Sequence, residues 1–292
     1  MLIVGAMRAG AADRQARLKN LPPQSWGMVL TMSWDIGNFG AVASKDGGYV
    51  ALVVGAGSGI GRSTALYLAS NGASVICADR DTPAVQKVAD EIAGQKGRAM
   101  GLGLDVTDDA GTRAAVAEAQ AKFGQIHALV NCAGITGRTN IKGHDVIMAD
   151  FDRVYQINLR GALVLSQAVL PAMLKQGYGR ILHVASIAGK EGNAGMTAYS
   201  ATKAGLIGLV KSLAKDYPES GVTINALAPA VVRTPLVDAL PDATVKYMTD
   251  KIPMHRCGEL SEVASMIAWI ISPACSFTTG FTFDLTGGRA TY

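Results

Sequence analysis

The sequence is poor in the residues that build metal centres, disulfide frameworks and membrane spans. Its four histidines, His127, His144, His183 and His255, are scattered. No HxH, HExxH or His–carboxylate cluster occurs, which argues against a catalytic metal. Cys77, Cys132, Cys257 and Cys275 show no CxxC spacing and read as free thiols in a reducing compartment. No apolar run approaches the ~20 residues of a membrane span. The opening Met1-Leu2-Ile3-Val4-Gly5-Ala6-Met7 has no basic residues before it and is too short for a secretory segment. Arg8, Arg14, Arg17 and Lys19 follow with one acid, Asp13, which does not establish a transit peptide, so the cytoplasm is the expected location. Charged residues are sparse at 17%, and the net charge of +4 forms no basic block. A nucleic-acid binder would gather Lys and Arg on one element, so no nucleic-acid partner is expected.

What is present is a rhythm that starts near Gly48. The 292 residues leave one or two domains open. Residues 1–47 have poor periodicity and a Leu21-Pro22-Pro23 break, and read as a poorly ordered N-terminal extension. Tyr49–Val54 is a continuous apolar run, as in a strand buried on both faces. Helix follows over Ile60–Ser70, a strand over Ser74–Ala78 ending in Asp79, and a helix over Pro83–Ala93, with proline where its missing N–H is harmless. The alternation continues with a strand over Ala99–Leu104, a helix over Asp108–Phe123 and a strand over Ala128–Val130. A long helix over Phe151–Lys175 and a strand over Arg180–Ala185 come next. Helix Thr197–Tyr217 and strands over Val222–Ala228 and Phe281–Leu285 complete the pattern. Strands alternating with helices predict an α/β fold: a Rossmann-type doubly wound parallel sheet of about seven strands, with helices on both faces. It forms a single domain over 48–292.

The first strand runs into Gly55-Ala56-Gly57-Ser58-Gly59-Ile60-Gly61. Gly55 permits a tight turn, Gly59 and Gly61 permit close approach, and the helix opening at Ile60 turns free N–H groups toward a pyrophosphate. A lone glycine turn is a weak signal, but here a strand precedes it, a helix follows and an acid lies about 20 residues on. That acid, Asp79, can accept both ribose hydroxyls of NAD and would repel the extra phosphate of NADP. Ser58 supplies no cation for that phosphate, whereas Arg80 can pair with it. The residues favour NAD and leave NADP open. Asp105 and Val106 close the third strand where an adenine edge would lie. Asn131, Ala133 and Gly134 close the fourth, where small residues keep the cleft floor open.

Tyr199 and Lys203 lie four residues apart, thirteen residues after Ser186. One helical turn puts the phenol and the ammonium on the same face. A tyrosine titrates near ~10 in water, and a positive neighbour favours its phenolate. Tyr199 is thus the candidate acid and base at a substrate oxygen, with Ser186 steadying charge on that oxygen.

The glycine pattern, Asn131-Cys132-Ala133-Gly134, Asn158, Ser186, Tyr199-Ser200-Ala201-Thr202-Lys203 and Asn225-Ala226-Leu227-Ala228-Pro229 together resemble the short-chain dehydrogenase/reductase family. The resemblance runs from about residue 48 to the end, with six motifs in order. It implies an NAD(P)-dependent oxidoreductase interconverting a secondary alcohol and a ketone. By that resemblance Lys203 also holds the nicotinamide ribose, Asn158 holds a water linking Lys203 to solvent, and Pro229, Val232 and Thr234 join the cofactor set. Three positions depart from the pattern. Val54 stands where a threonine is usual, so a hydroxyl tie between the first and fourth strand ends is missing. Cys132 replaces Asn or Ala, and Ala230 replaces Gly.

Loops at the carboxyl ends of the strands should hold the substrate. They are polar and net basic, which favours a small sugar acid or polyol over a steroid or acyl chain. Arg138 and Lys190 are the candidate anion contacts. A 3-oxoacyl-(acyl-carrier-protein) reductase using NADPH is the alternative enzyme. A non-catalytic dinucleotide sensor is the alternative of another class, and it would predict loss of a catalytic residue. Leu206, Ile207, Leu209 and Val210 exceed what one sheet contact needs. With the family's habit of pairing such helices, they predict a homotetramer whose tail, Phe281 to Tyr292, reaches a neighbouring subunit.

Overall fold

Val50–Val54 forms the first strand, β1, in a computed structural model that describes residue 39, residues 48–290 and residue 292. Apart from Phe39, the predicted extension 1–47 lies outside the described residues. Side chains alternate along a strand. Leu52 and Val54 therefore enter one core with Val116, Leu165 and Val210. Ala51 and Val53 enter a second core with Leu68, Val85 and Ile267. A sheet apolar on both faces requires helices on both.

The elements follow in alternation: α1 (Gly59–Ser70), β2 (Ser74–Asp79), α2 (Thr82–Gly94), β3 (Ala99–Gly103), α3 (Asp109–Phe123) and β4 (Ala128–Asn131). After α4 (Met148–Tyr155) and α5 (Gly161–Gln176) come β5 (Gly179–Val184), α6 (Ala188–Glu191), α7 (Thr197–Asp216) and β6 (Val222–Pro229). The last elements are α8 (Pro235–Asp238), α9 (Asp242–Thr249), α10 (Leu260–Ile271) and β7 (Thr282–Leu285). The strands form one parallel sheet in the order β3-β2-β1-β4-β5-β6-β7. The order reverses between β1 and β4, and a crevice opens at the carboxyl ends of strands at such a point. Val54 and Asn131 are register partners there. The Cys132 N–H donates to the Val54 carbonyl at 2.8 Å, so backbone makes a tie where the threonine hydroxyl is missing.

Two differences from the sequence reading bear on function. The long helix predicted over 151–175 is interrupted by a π turn, Gln156–Arg160, in which Gly161 N–H bonds the Gln156 carbonyl five residues back. Such single turns concentrate at functional sites, and this one contains Asn158. The combined stretch Met148–Gln176 is long and apolar enough to cross a bilayer, yet half of its apolar window is buried in this fold. The second difference is α10, absent from the sequence reading, whose capping box pairs Glu259 with Glu262 ahead of a buried run. Phe39 is also buried, its ring 4.9 Å from that of Tyr49.

Candidate active site

The glycine turn is built for close approach. Gly55 has φ +80°, a conformation that side chains resist. A Cβ on Gly61 would lie 2.1 Å from the Gly55 carbonyl oxygen, so only glycine lets α1 start against the turn. Ser58, the N-cap of α1, makes no side-chain cap, and no acid occupies the first turn. The amide groups of that turn remain free for an anion, with the positive end of the helix behind them. A cleft of ≈ 570 Å³ lies above.

Of the residues expected to hold a cofactor, Gly55, Ser58, Gly59, Ile60, Gly61, Asp79, Arg80, Asp105, Val106, Ala133, Gly134 and Thr234 line this cleft. Asp79 is fixed at its rim: Gly57 N–H donates to one carboxylate oxygen at 3.2 Å and Asp81 N–H to the other at 3.1 Å. Asp105 accepts from the backbone and hydroxyl of Thr107 at 2.9 and 2.7 Å, and these bonds hold it below the usual carboxylate range. Leu104, Thr107, Ile135, Arg153 and Ile157 also line the cleft and were not anticipated. Arg153 and Ile157 follow from α4 and the π turn, whose phase the helical periodicity did not reveal.

Asn131 is buried and acts from behind the floor. Its side-chain oxygen accepts from Ala133 N–H at 3.1 Å, and its amide lies 3.1 Å from His183 Nδ1. His183 Nε2 lies 2.9 Å from Ser166 Oγ, and that hydroxyl donates to the Ala162 carbonyl at 2.9 Å. One assignment satisfies every group: the Asn131 amide donates to Nδ1, and Nε2–H donates to Ser166. Burial and the nearby Lys203 push His183 down to about 3, so it is neutral. Val232 is buried as a bridge partner of Gly258, and the Pro229 carbonyl accepts from Ile187 N–H at 3.0 Å. Both shape the loops around the cleft from outside its lining.

Lys203 and Asn158 lie behind the cleft lining at Gly134, and the Ser186 hydroxyl lies beside the Tyr199 phenol. A Cβ on Gly134 would lie 3.3 Å from both Lys203 Nζ and Asn158 Oδ1. Asn158 clamps the chain after the floor: its oxygen accepts from Ile135 N–H and its amide donates to the Ile135 carbonyl, each at 2.9 Å, and to Thr202 Oγ1 at 3.2 Å. Ser186 Oγ accepts from Ala188 N–H at 3.1 Å. Lys203 donates to the Val184 carbonyl at 2.6 Å.

The expected acidification of Tyr199 by Lys203 is not found. Burial raises the phenol above its ordinary range, and the Ser186 hydroxyl acts in the opposite sense. The physical reason is that Lys203 is itself desolvated, pushed down to about 8, and turned to a carbonyl with Nζ 5.7 Å from the Tyr199 ring centre. The Cys132 thiol beside it is pushed up to about 12 by burial.

On the substrate side, Arg138 is exposed and its backbone N–H donates to Asp150 at 2.7 Å. No carboxylate among the described residues pairs with its guanidinium. Lys190 is placed differently from the expectation. Its amine meets Asp284 at 2.6 Å and also donates to the Tyr292 carbonyl, so its charge is matched within the chain. The C-terminal tail likewise lies on its own chain: Arg289 pairs with Glu191 at 2.9 Å, and the Tyr292 hydroxyl donates to the Lys190 carbonyl at 2.5 Å. Of the helix residues predicted to pair across subunits, Leu206, Ile207 and Val210 are buried in the chain's own core, and Leu209 is partly buried against it.

Comparison with known proteins follows the same lines. The family described as short chain dehydrogenase matches residues 49–244. A 2-dehydro-3-deoxy-L-rhamnonate dehydrogenase (NAD(+)) of Sphingomonas sp. (strain SKA58) is 42% identical over 250 residues, covering 86% of this chain and 98% of that protein. A 3-oxoacyl-(acyl-carrier-protein) reductase of Thermotoga maritima is 36% identical over 82% of this chain and 97% of its own length. Among solved structures, a 7 alpha-hydroxysteroid dehydrogenase complexed with NADH and 7-oxo glycochenodeoxycholic acid superposes with a TM-score of 0.80 at 33% identity. That match covers 88% of this chain and 98% of the other.

Proposed function

The chain belongs to the short-chain dehydrogenase/reductase family, and from that premise we propose an NAD-dependent oxidoreductase that interconverts a secondary alcohol and a ketone on a small sugar acid. The observation that carries this reading is the abutment of two halves. Gly134, in the cleft lining, has Lys203 and Asn158 behind it, each 3.3 Å from where a Cβ would stand, and Asp79 lines the same cleft. The residues fit the cofactor: a Cβ on Gly55 would lie 2.9 Å from the Cys132–Ala133 backbone and one on Gly61 2.1 Å from the Gly55 oxygen, so the tight turn needs both glycines, and the uncapped α1 N-terminus matches a pyrophosphate. Asp79 would hold the adenosine ribose and disfavour a 2′-phosphate.

When bound, the nicotinamide would supply the hydride chemistry. Tyr199 takes the proton from the substrate hydroxyl in oxidation and returns it to the carbonyl oxygen in reduction. Ser186 donates a hydrogen bond to that same oxygen. Asn158 fixes the chain at Ile135 and, with Lys203, borders the floor on which the ring would rest. Arg138 is the candidate contact for a substrate carboxylate.

The second reading, a 3-oxoacyl-(acyl-carrier-protein) reductase, draws on the Thermotoga relative and on Arg80 in the cleft. Asp79 weighs against it. A silent sensor is disfavoured because Asn158, Ser186, Tyr199 and Lys203 are all present. Nicotinamide absorbance with 2-dehydro-3-deoxy-L-rhamnonate, polyols and 3-oxoacyl thioesters, each with either cofactor, separates the readings. Turnover of the sugar acid with NAD at least about tenfold above NADP supports the first, by the differential binding of one charged group. Turnover of thioesters with NADPH alone rejects it.

Residues 48–292 form the dehydrogenase domain in this reading, and residues 1–47 are an added extension. Free thiols fit a cytoplasmic location. Phe277 and Phe281, 103% and 54% exposed beside the edge strand β7, favour assembly of subunits into a homotetramer. No nucleic-acid or membrane partner is invoked.

A further inference from the structure

Two catalytic candidates flank α6, and α6 is clasped by the C-terminal tail. Glu191, at the end of α6, accepts from Arg289 Nε at 2.9 Å, and Asn193 Oδ1 accepts from Arg289 Nη2 at 3.0 Å. One guanidinium thereby ties two points of the loop between Ser186 and Tyr199. Isolated surface ion pairs contribute little, but the Arg289 side chain is only 10% exposed and spends both of its prongs on this loop. The tail is anchored independently, since Met254 N–H donates to the Gly287 carbonyl at 3.1 Å.

The clasp leads to the chemistry by short steps. The first N–H of α6, on Ala188, donates to Ser186 Oγ at 3.1 Å. The backbone of Gly189 packs on α7 where Lys203 sits, because a Cβ there would lie 2.6 Å from the Lys203 carbonyl carbon. Asn193 N–H donates to Ser200 Oγ, next to Tyr199, at 3.0 Å. The orientation of α6 therefore sets the Ser186 hydroxyl and the wall beside Tyr199.

We propose that Arg289 is a positioning residue: by holding Glu191 and Asn193 it fixes α6 and, through Ala188, aims Ser186 at the substrate oxygen. The proposal rests on the catalytic roles assigned above to Ser186 and Tyr199. It predicts a defect at the substrate end of the cleft and none at the Asp79 end.

The test uses the full chain with 2-dehydro-3-deoxy-L-rhamnonate, or with whichever alcohol of the panel is turned over fastest. Arg289→Ala should lower kcat/KM by about tenfold or more, the scale of losing charge-assisted hydrogen bonds. NADH affinity, read by fluorescence titration, should stay within about twofold. Arg289→Lys, which keeps the charge without the two-pronged reach, should fall between. Arg289→Glu combined with Glu191→Arg should recover part of what Arg289→Glu alone loses. Unchanged kcat/KM in Arg289→Ala overturns the proposal. So does an equal loss of NADH affinity, which would mean a fold-wide effect. Tyr199→Phe assayed alongside separates the two layers. Full activity there removes the catalytic reading itself, whereas an inactive Tyr199→Phe beside an unaffected Arg289→Ala overturns only the positioning role.

Discussion

His183 shows how much of this site is set by a single buried side chain. It sits wholly inside the fold, neutral, between Asn131 and Ser166. Its folded value of about 3 lies below the ordinary 6.5, so the unfolded chain binds the proton more readily. Stability from this residue is complete above pH ~6.5 and is lost as pH falls toward about 3. At one unit below the unfolded value the loss is about 1.4 kcal/mol. Urea midpoints at pH 7.5 and pH 5.5 check this, and His183→Asn should flatten the difference that belongs to this residue; His127, also depressed by burial, adds in the same direction. Little of this was legible beforehand. A histidine within an apolar strand says nothing of its partners, and Ser166 and Asn131 lie 17 and 52 residues away. Tyr199 and Lys203 were legible, because one helical turn brings them together. The direction of the Lys203 amine was not, since the Val184 carbonyl it meets belongs to another strand.

At the scale of elements, the turn from β1 into α1 was the clearest part of the sequence, because its function depends on local backbone shape. Gly61→Ala would place a methyl 2.1 Å from the Gly55 oxygen. Relief of that overlap should cost about 1–3 kcal/mol of stability. It should also weaken NADH binding, measured by fluorescence titration beside thermal unfolding. Unchanged affinity and melting would show that the turn can yield. The π turn was not legible, because one extra residue between α4 and α5 hardly disturbs a pattern of apolar positions. The helix α10 escaped notice although Glu259 and Glu262 precede its apolar run, a signal that a capping-box reading would have found. Lys190 was misplaced for a different reason. Its partner Asp284 comes from the far end of the chain, and sequence spacing carries no information on such a pair.

The whole molecule follows from strands that are apolar on both faces. Such strands demand helices on both sides, and the reversal of strand order between β1 and β4 then opens the crevice that the cofactor residues line. Assembly is less directly written. Three of the helix residues first assigned to a subunit interface, Leu206, Ile207 and Val210, are buried in the chain's own core and Leu209 is partly buried, while Phe277 and Phe281 stand exposed. Light scattering should return a mass of four chains, and Phe277→Ser with Phe281→Ser should reduce it. A wild-type mass of one chain would remove the homotetramer.

The central claim is that Tyr199 moves the proton that accompanies hydride transfer. The most direct measurement is the pH dependence of kcat/KM for alcohol oxidation in the wild type and in Tyr199→Phe, followed by nicotinamide absorbance with NADH affinity as control. The wild-type rate should rise with pH above neutrality, because only the phenolate accepts the proton and burial raises its titration. Tyr199→Phe should lose about 10²- to 10⁴-fold and the pH-dependent rise with it, while binding NADH normally. A Tyr199→Phe enzyme that keeps the wild-type rate and profile would contradict the account.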